Sequence, residues 1–296
     1  MGGTAMSNIK EQLVAGIDIG GSHISVCMVD LELAALQHQY AVRAKVDPHG
    51  SAGEIIECWA NAIEAGFAQV PVAEKYIGIA MPGPFDYEEG ISYITGLHKF
   101  ESLHGLNVKK MLADRLHIPV SHIKMVNDAS AFLLGEVKGG AGKGYQNAAG
   151  ITLGTGLGSA GFFNGVIQDG DCWCTPFKDA RAEDYLCSRW FVQEYARVSG
   201  QSVEGVKDLI ALYDKEEAVR ALFNHFGQHL AEVLMMKYPP TLQEIVVIGG
   251  NIAKAWDYFM PAAMERFKQY NVAMNLQPAV LGENAAIAGA AFLWKL

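Results

Sequence analysis

Val14-Ala15-Gly16-Ile17-Asp18-Ile19-Gly20-Gly21-Ser22-His23-Ile24-Ser25-Val26 sets a glycine pair between two apolar runs. Ala149-Gly150-Ile151-Thr152-Leu153-Gly154-Thr155-Gly156-Leu157-Gly158-Ser159-Ala160-Gly161-Phe162 does so again. Glycine lets a backbone turn with φ > 0 and leaves no side chain between its N–H groups and a bound anion. Two such turns, with Asn127-Asp128 between them in the sequence, suggest jaws that close on a polyphosphate. The residues after each turn decide its kind. A Walker loop needs G-x-x-x-x-G-K-[ST], and Gly139-Gly140-Ala141-Gly142-Lys143-Gly144 does not supply that spacing. The dinucleotide fingerprint G-x-G-x-x-G opens a helix whose N-terminus holds the pyrophosphate. Here Ser159 stands where that fingerprint needs its third glycine, and an apolar stretch runs on to Phe163. Residues 22–30 likewise alternate into a strand, with Ile24, Val26 and Met28 on one face. Both turns are therefore read as hairpin tips; either alone fits an ordinary tight hairpin equally well.

Composition narrows the class. At 296 residues, 50% of them hydrophobic, the chain can fill one large or two ordinary cores. No run of 18 apolar residues appears, so no membrane span is expected. The opening Met1-Gly2-Gly3-Thr4-Ala5-Met6-Ser7 has neither a basic nor an apolar signal region and misses the myristoylation pattern, so a cytoplasmic protein is expected. A net charge of −9 argues against nucleic acid or anionic membrane as a partner. A triphosphate would then be met by local N–H groups and a metal. Five cysteines, an odd count, are expected to be reduced thiols.

The first third reads as strands then helices. Strands are expected at 13–19, 23–30 and 36–45. A helix over 54–69 carries Ile55, Ile56, Trp59, Ile63 and Phe67 inward. A short strand at 76–80 stops at Pro82-Gly83-Pro84, and Asn107 caps a helix to about 116. After Pro119 the pattern restarts: a strand near 122–126, Asn127-Asp128, and a helix over 129–137. That restart divides the chain into an N-terminal lobe, 1–121, and a C-terminal lobe, 122–283. The Ala-rich helix 284–296 packs back on the first lobe, its small residues allowing a close hinge crossing. The second half repeats the logic of the first, with helices at 182–197 and 217–236 and a strand at 244–248 ending in Gly249-Gly250-Asn251.

In that order the motifs resemble the sugar kinases of the actin/hexokinase/Hsp70 superfamily, and within it the ROK family. Asp18-x-Gly20-Gly21-Ser22 is similar to the first phosphate motif and Leu153-Gly154-Thr155-Gly156-Leu157-Gly158 to the second. Asn127-Asp128-Ala129 is similar to the segment holding the catalytic Asp, and Ile248-Gly249-Gly250-Asn251 to the adenosine motif. Residues 281–290 are similar to the second connecting helix. Each motif alone is weak; five in the right order, over nearly the whole chain, are strong. The resemblance implies an α/β, two-lobed ribonuclease H-like (actin-like) ATPase fold, mixed sheets flanked by helices with a cleft between lobes. It implies an ATP-dependent hexose kinase acting on the 6-hydroxyl of a glucose-like sugar or an N-acetylhexosamine. ATP, Mg²⁺ and a homodimeric assembly belong to the same implication.

Phosphoryl transfer to a hydroxyl needs an in-line oxygen, a neutralised γ-phosphate and a proton acceptor. Asp128, at a strand-to-helix junction, is the best acceptor; the bland reading is a helix cap. By resemblance it is the general base and Asn127 bonds the sugar. Asp18 holds Mg²⁺, or else closes an Asx-type turn. Gly20, Gly21, Ser22, Gly154, Thr155 and Gly156 are assigned to the phosphates, and Gly249, Gly250 and Asn251 to the adenosine. Gly83 shapes the sugar side. Glu183, in the matching E-x-Y of Glu183-Asp184-Tyr185, is carried over as a sugar ligand, or is simply an acid at a helix start.

The departures matter equally. The first motif usually continues Thr-Lys; here Ser22 and His23 stand there. The family's G-E-x-G-H and its zinc cluster C-x-C-G-x-x-G-C are gone; Cys172, Cys174 and Cys187 make an incomplete set, so free thiols and no zinc are expected. His98, Lys99, Glu101 and Ser102 either replace lost sugar contacts or form a solvated loop. Two other functions stay open: a non-catalytic sugar-sensing ROK protein, and a superfamily ATPase or phosphatase using water. The sensors of the family usually carry a helix-turn-helix before the first strand, and with about a dozen residues there DNA binding is not expected.

Overall fold

The computed structural model describes residues 13–96 and 99–296. They form two compact units: the described residues through Lys143 together with Glu283–Leu296, and Gly144–Gly282.

In unit 1, β1 (Leu13–Ile19) turns back as β2 (His23–Asp30), paired antiparallel from Leu13↔Asp30 to Ile19↔Ile24. The first glycine pair is thus a hairpin tip. β3 (Ala35–Lys45) extends the meander. Helix α1 (Ala52–Phe67) begins at a capping box of Ser51 and Glu54 and buries Ile55, Trp59 and Ile63, its apolar stripe. β4 (Ile77–Met81) then lies parallel to β1, with every residue buried. A two-strand ribbon, β5 (Phe85–Asp86) and β6 (Ile91–Ser92), precedes α2 (Val108–Leu116), whose N-cap Asn107 accepts the Lys110 N–H at 2.8 Å. β7 (Ile123–Asn127) pairs parallel with β4, and α3 (Asp128–Gly139) follows it directly.

Unit 2 opens with the second hairpin, β8 (Asn147–Leu153) and β9 (Leu157–Phe163), continued by β10 (Val166–Asp169). A ribbon of β11 (Pro176–Phe177) and β12 (Ala180–Arg181) leads to α4 (Ala182–Tyr185), α5 (Ser188–Ser199), α6 (Val206–Leu212) and α7 (Glu217–Lys237). β13 (Ile245–Gly249), α8 (Trp256–Gln269) and β14 (Leu276–Pro278) complete it. The two five-stranded sheets have one topology: β3-β2-β1-β4-β7 and β10-β9-β8-β13-β14, a three-strand meander followed by two parallel strands. The fold is the actin-like α/β arrangement of mixed sheets flanked by helices.

Two expectations change. The chain divides at 143/144 rather than near 121, because β7 is hydrogen-bonded along β4 and belongs to the first sheet. The helix expected over 182–197 is two helices, since Leu186 and Cys187 leave helical geometry where Ser188 reaches a partner far away in sequence. The last helix, α9 (Asn284–Phe292), packs inside unit 1, against α3, β1 and β4. There a Cβ on Gly289 would stand 1.7 Å from the Ala131 carbonyl oxygen, and one on Gly78 would stand 1.9 Å from that of Ala290. Only glycine permits these backbones to touch.

Candidate active site

Parallel strands that adjoin in a sheet bring their carboxyl ends to one edge, where ligands of open α/β sheets bind. In unit 1 that edge collects Asp18 from β1, Pro82-Gly83 after β4, and Asn127-Asp128 after β7, through the registers Asp18↔Ala80 and Met81↔Asn127. In unit 2 the same edge collects Gly154 after β8 and Gly249-Gly250 after β13, through Thr152↔Gly249.

Asp18 is half-buried. Burial, reinforced by the negative charge of Asp128, pushes its carboxyl from 3.8 up to about 6. Asp128 is open to solvent, yet desolvation by the protein around it raises its carboxyl as well. The Ala129 N–H, 2.9 Å from Oδ1, and the charge of Lys99 oppose that shift. The helix cap is Asn127: its Oδ1 accepts from Ala129 N at 2.9 Å and Ser130 N at 3.4 Å. Asp128, the first residue of α3, is thus not the N-cap, although its Oδ1 shares the Ala129 N–H with Asn127. Asn127 Nδ2 donates to the Tyr87 hydroxyl at 3.3 Å, and Tyr87 donates to Met81 O at 3.0 Å. Tyr87, which also stands 3.1 Å from where a Gly83 Cβ would sit, had no sequence signal beyond its place near Pro84.

The first turn closes through Gly20 N donating to His23 O at 2.9 Å. Ser22 Oγ lies 2.8 Å from His23 Nδ1, so hydroxyl and imidazole occupy one another. Gly20, Gly21, Gly154 and Gly156 all avoid the left-handed φ region, against the first expectation. Only Gly156 among them serves clearance; Gly20, Gly21 and Gly154 have room for a Cβ. A Cβ on Gly156 would stand 2.6 Å from Glu183 Oε2, and one on Gly21 would stand 3.6 Å from Lys99 Cδ. Gly250 does need φ +89°, and a Cβ there would meet Leu153 O at 2.3 Å, tying this turn to the end of β8.

Glu183 reaches the second turn and accepts Leu157 N at 3.0 Å. Ser188 donates to Gly154 O from both N (2.8 Å) and Oγ (3.0 Å), which is what starts α5 anew. Thr155 at the tip and Asn251 are exposed, and Asn251 Oδ1 accepts from Lys254 Nζ at 2.9 Å. His98 lies outside the described residues. Glu101 and Ser102 are exposed, with Ser102 Oγ donating to Gly50 O at 2.8 Å.

The ROK family profile matches residues 14–176, more than half of the chain. The chain belongs to the ROK family. Curated relatives of this ROK protein include a glucokinase of Thermotoga maritima, 30% identical over 95% of this chain and 96% of its own length. An N-acetyl-D-glucosamine kinase of Histophilus somni is 23% identical over 94% and 98%. The fold matches that of a ROK family glucokinase from Streptomyces griseus solved with glucose and AMPPNP, at TM-score 0.72 and 20% identity, covering 95% of this chain and 99% of that one.

The zinc cluster implied by ROK membership does not fit this chain. Cys172 is buried, its thiol pushed up to about 12 by desolvation, whereas a zinc ligand must be a thiolate. Cys174 is exposed, its Sγ 3.3 Å from Asp171 O. Among the described residues no group of three or more His, Cys, Asp or Glu is placed to hold a metal ion. Among them, too, no helix is long and apolar enough to cross a membrane.

Proposed function

We propose that this ROK protein is an ATP-dependent sugar kinase that transfers the γ-phosphoryl of ATP to the 6-hydroxyl of a glucose-like hexose or an N-acetylhexosamine. The observation that carries the reading is Asp128: a solvent-open carboxylate at the sheet edge, beside Asn127, which is the N-cap of α3. A general base works best when its pKa lies near the working pH, so the upward shift of Asp128 makes it a stronger acceptor for a sugar hydroxyl proton.

Asn127 and Gly83, braced by Tyr87, line the sugar side in this reading, and Glu183 adds a sugar contact. Gly20, Gly21 and Ser22 present the first turn to the phosphates, and Gly154, Thr155 and Gly156 the second. Gly249, Gly250 and Asn251 lie along the adenosine. Asp18 suits Mg²⁺: its half-buried carboxyl carries a raised pKa that a hard cation at its oxygens would reverse. Bound there, the ion would neutralise phosphate charge. The assembly in this reading is a homodimer, checked by light scattering.

A coupled ADP-release assay over a panel of hexoses and N-acetylhexosamines tests the proposal. Sugar-dependent release supports it; sugar binding without release points to a sensor, and sugar-independent hydrolysis to an ATPase. Asp128→Asn is expected to lower kcat by at least about a hundredfold while leaving ATP and sugar affinity nearly unchanged. Retained turnover would remove Asp128 as the base.

A further inference from the structure

We propose that Lys99 is the fixed positive charge of the first hairpin turn, holding the transferring phosphate of the nucleotide next to Asp128. This rests on the kinase reading and adds a residue from outside the turn itself.

The turn has a charge problem. Asp18 and Asp128 are both acidic, and Glu283 adds a third negative influence on Asp18. Of the cations on the neighbouring strand, Lys45 pairs across from His23, and Arg43, which eases Asp18, lies 3.6 Å from Glu283 in an exposed pair. A triphosphate brought here meets repulsion unless a cation answers it. His23 stands where a lysine would be expected, and its Nδ1 is taken up with Ser22 Oγ at 2.8 Å.

Lys99 supplies what His23 lacks. Its Cδ lies 3.6 Å from the Cβ position of Gly21, so the side chain runs along the face of the turn. Its charge is felt at Asp128. The backbone that follows it is anchored. Phe100 is fully buried, its ring 5.3 Å from that of Trp59 and edge-on to it, and its N–H donates to Pro48 O at 2.8 Å. Ser102 fastens the next stretch of chain to Gly50 O. A half-buried lysine held over a phosphate-type turn, with its charge reaching the proposed base, is placed to steady phosphoryl oxygens as they develop charge.

The test uses the full chain as wild type, Lys99→Met and Lys99→Arg, each checked for an unchanged melting temperature. Calorimetric titrations with sodium tripolyphosphate, Mg-AMPPNP and the sugar are run separately, beside steady-state kinetics. Lys99→Met is expected to weaken tripolyphosphate and AMPPNP by about tenfold or more, and to lower kcat by at least as much. Sugar affinity should stay within about twofold, and Lys99→Arg should recover most of the phosphate affinity. Unchanged tripolyphosphate affinity in Lys99→Met, no tripolyphosphate binding by the wild type, or weakening confined to the sugar would each overturn the proposal. Loss of tripolyphosphate affinity in Lys99→Met, with no sugar-dependent ADP release by the wild type, would sustain Lys99 and remove the kinase reading instead.

Discussion

Glu183 shows how one carboxylate serves two partners. Its Oε2 accepts the Leu157 N–H, and the space it fills is the space a Gly156 Cβ would need. Removing that acceptor leaves a part-buried backbone donor unanswered, at roughly 1–3 kcal/mol. Glu183→Ala is therefore expected to raise KM for ATP as well as for sugar, about tenfold each. Glu183→Gln, whose amide oxygen still accepts from Leu157, should restore the ATP value and not the sugar value. A change confined to the sugar KM in both variants would reduce Glu183 to a sugar ligand with no hold on the turn. Nothing in the local sequence announced this link: the E-x-Y pattern marks Glu183, but its acceptor role spans 26 residues and depends on where α4 is laid down.

At the scale of elements, the hairpins, caps and buried strands were legible because their causes are local. Apolar runs made β1 and β2 and Asn107 capped α2, whereas the capping box of Ser51 and Glu54 starts α1 at Ala52, ahead of the expected 54. The break between α4 and α5 was not, because the carbonyl that captures Ser188 belongs to Gly154 on a distant hairpin. The same segment carries a pH signature. His229, on α7, is buried among the rings of Phe177, Tyr185 and Trp190, with centroids at 5.7, 5.1 and 5.4 Å, and its Nδ1 has no hydrogen-bond partner among the described residues. Burial lowers it from 6.5 to about 3. The unfolded chain binds this proton below pH 6.5 and the folded one does not until about 3, so stability is lost as pH falls through that window. Replacing His229 with Phe should flatten melting temperature against pH between about 6.5 and 4 while changing it little at pH 7.5. An equal slope in both proteins would mean that His229 is not the group responsible.

For the whole molecule, the repeated topology of the two sheets was visible as a second half that repeats the logic of the first; the division point was not. A restart of the strand–helix pattern marks a new element, and only the pairing of β7 with β4 shows which sheet receives it. Unit 1 is discontinuous in sequence. Besides α9 it draws on Lys124 Nζ donating to Leu293 O at 2.7 Å and Trp294 Nε1 donating to Ile77 O at 3.1 Å. Ending the chain after Gly282 is expected to strip hydrogen-exchange protection from β1, β4 and α3 while β8 and β13 keep theirs. Protected β1 and β4 amides in the shortened chain would show that α9 is dispensable to the first sheet.

That dependence has a consequence for biosynthesis. Unit 2 is complete once residue 282 has emerged from the ribosome, whereas unit 1, whose strands precede it, waits for α9, which follows it. During that interval the glycine-floored faces at Gly16, Gly78 and Gly135 stand without the backbone that later lies on them. The first sheet is thus begun before unit 2 and sealed only after unit 2 has been made.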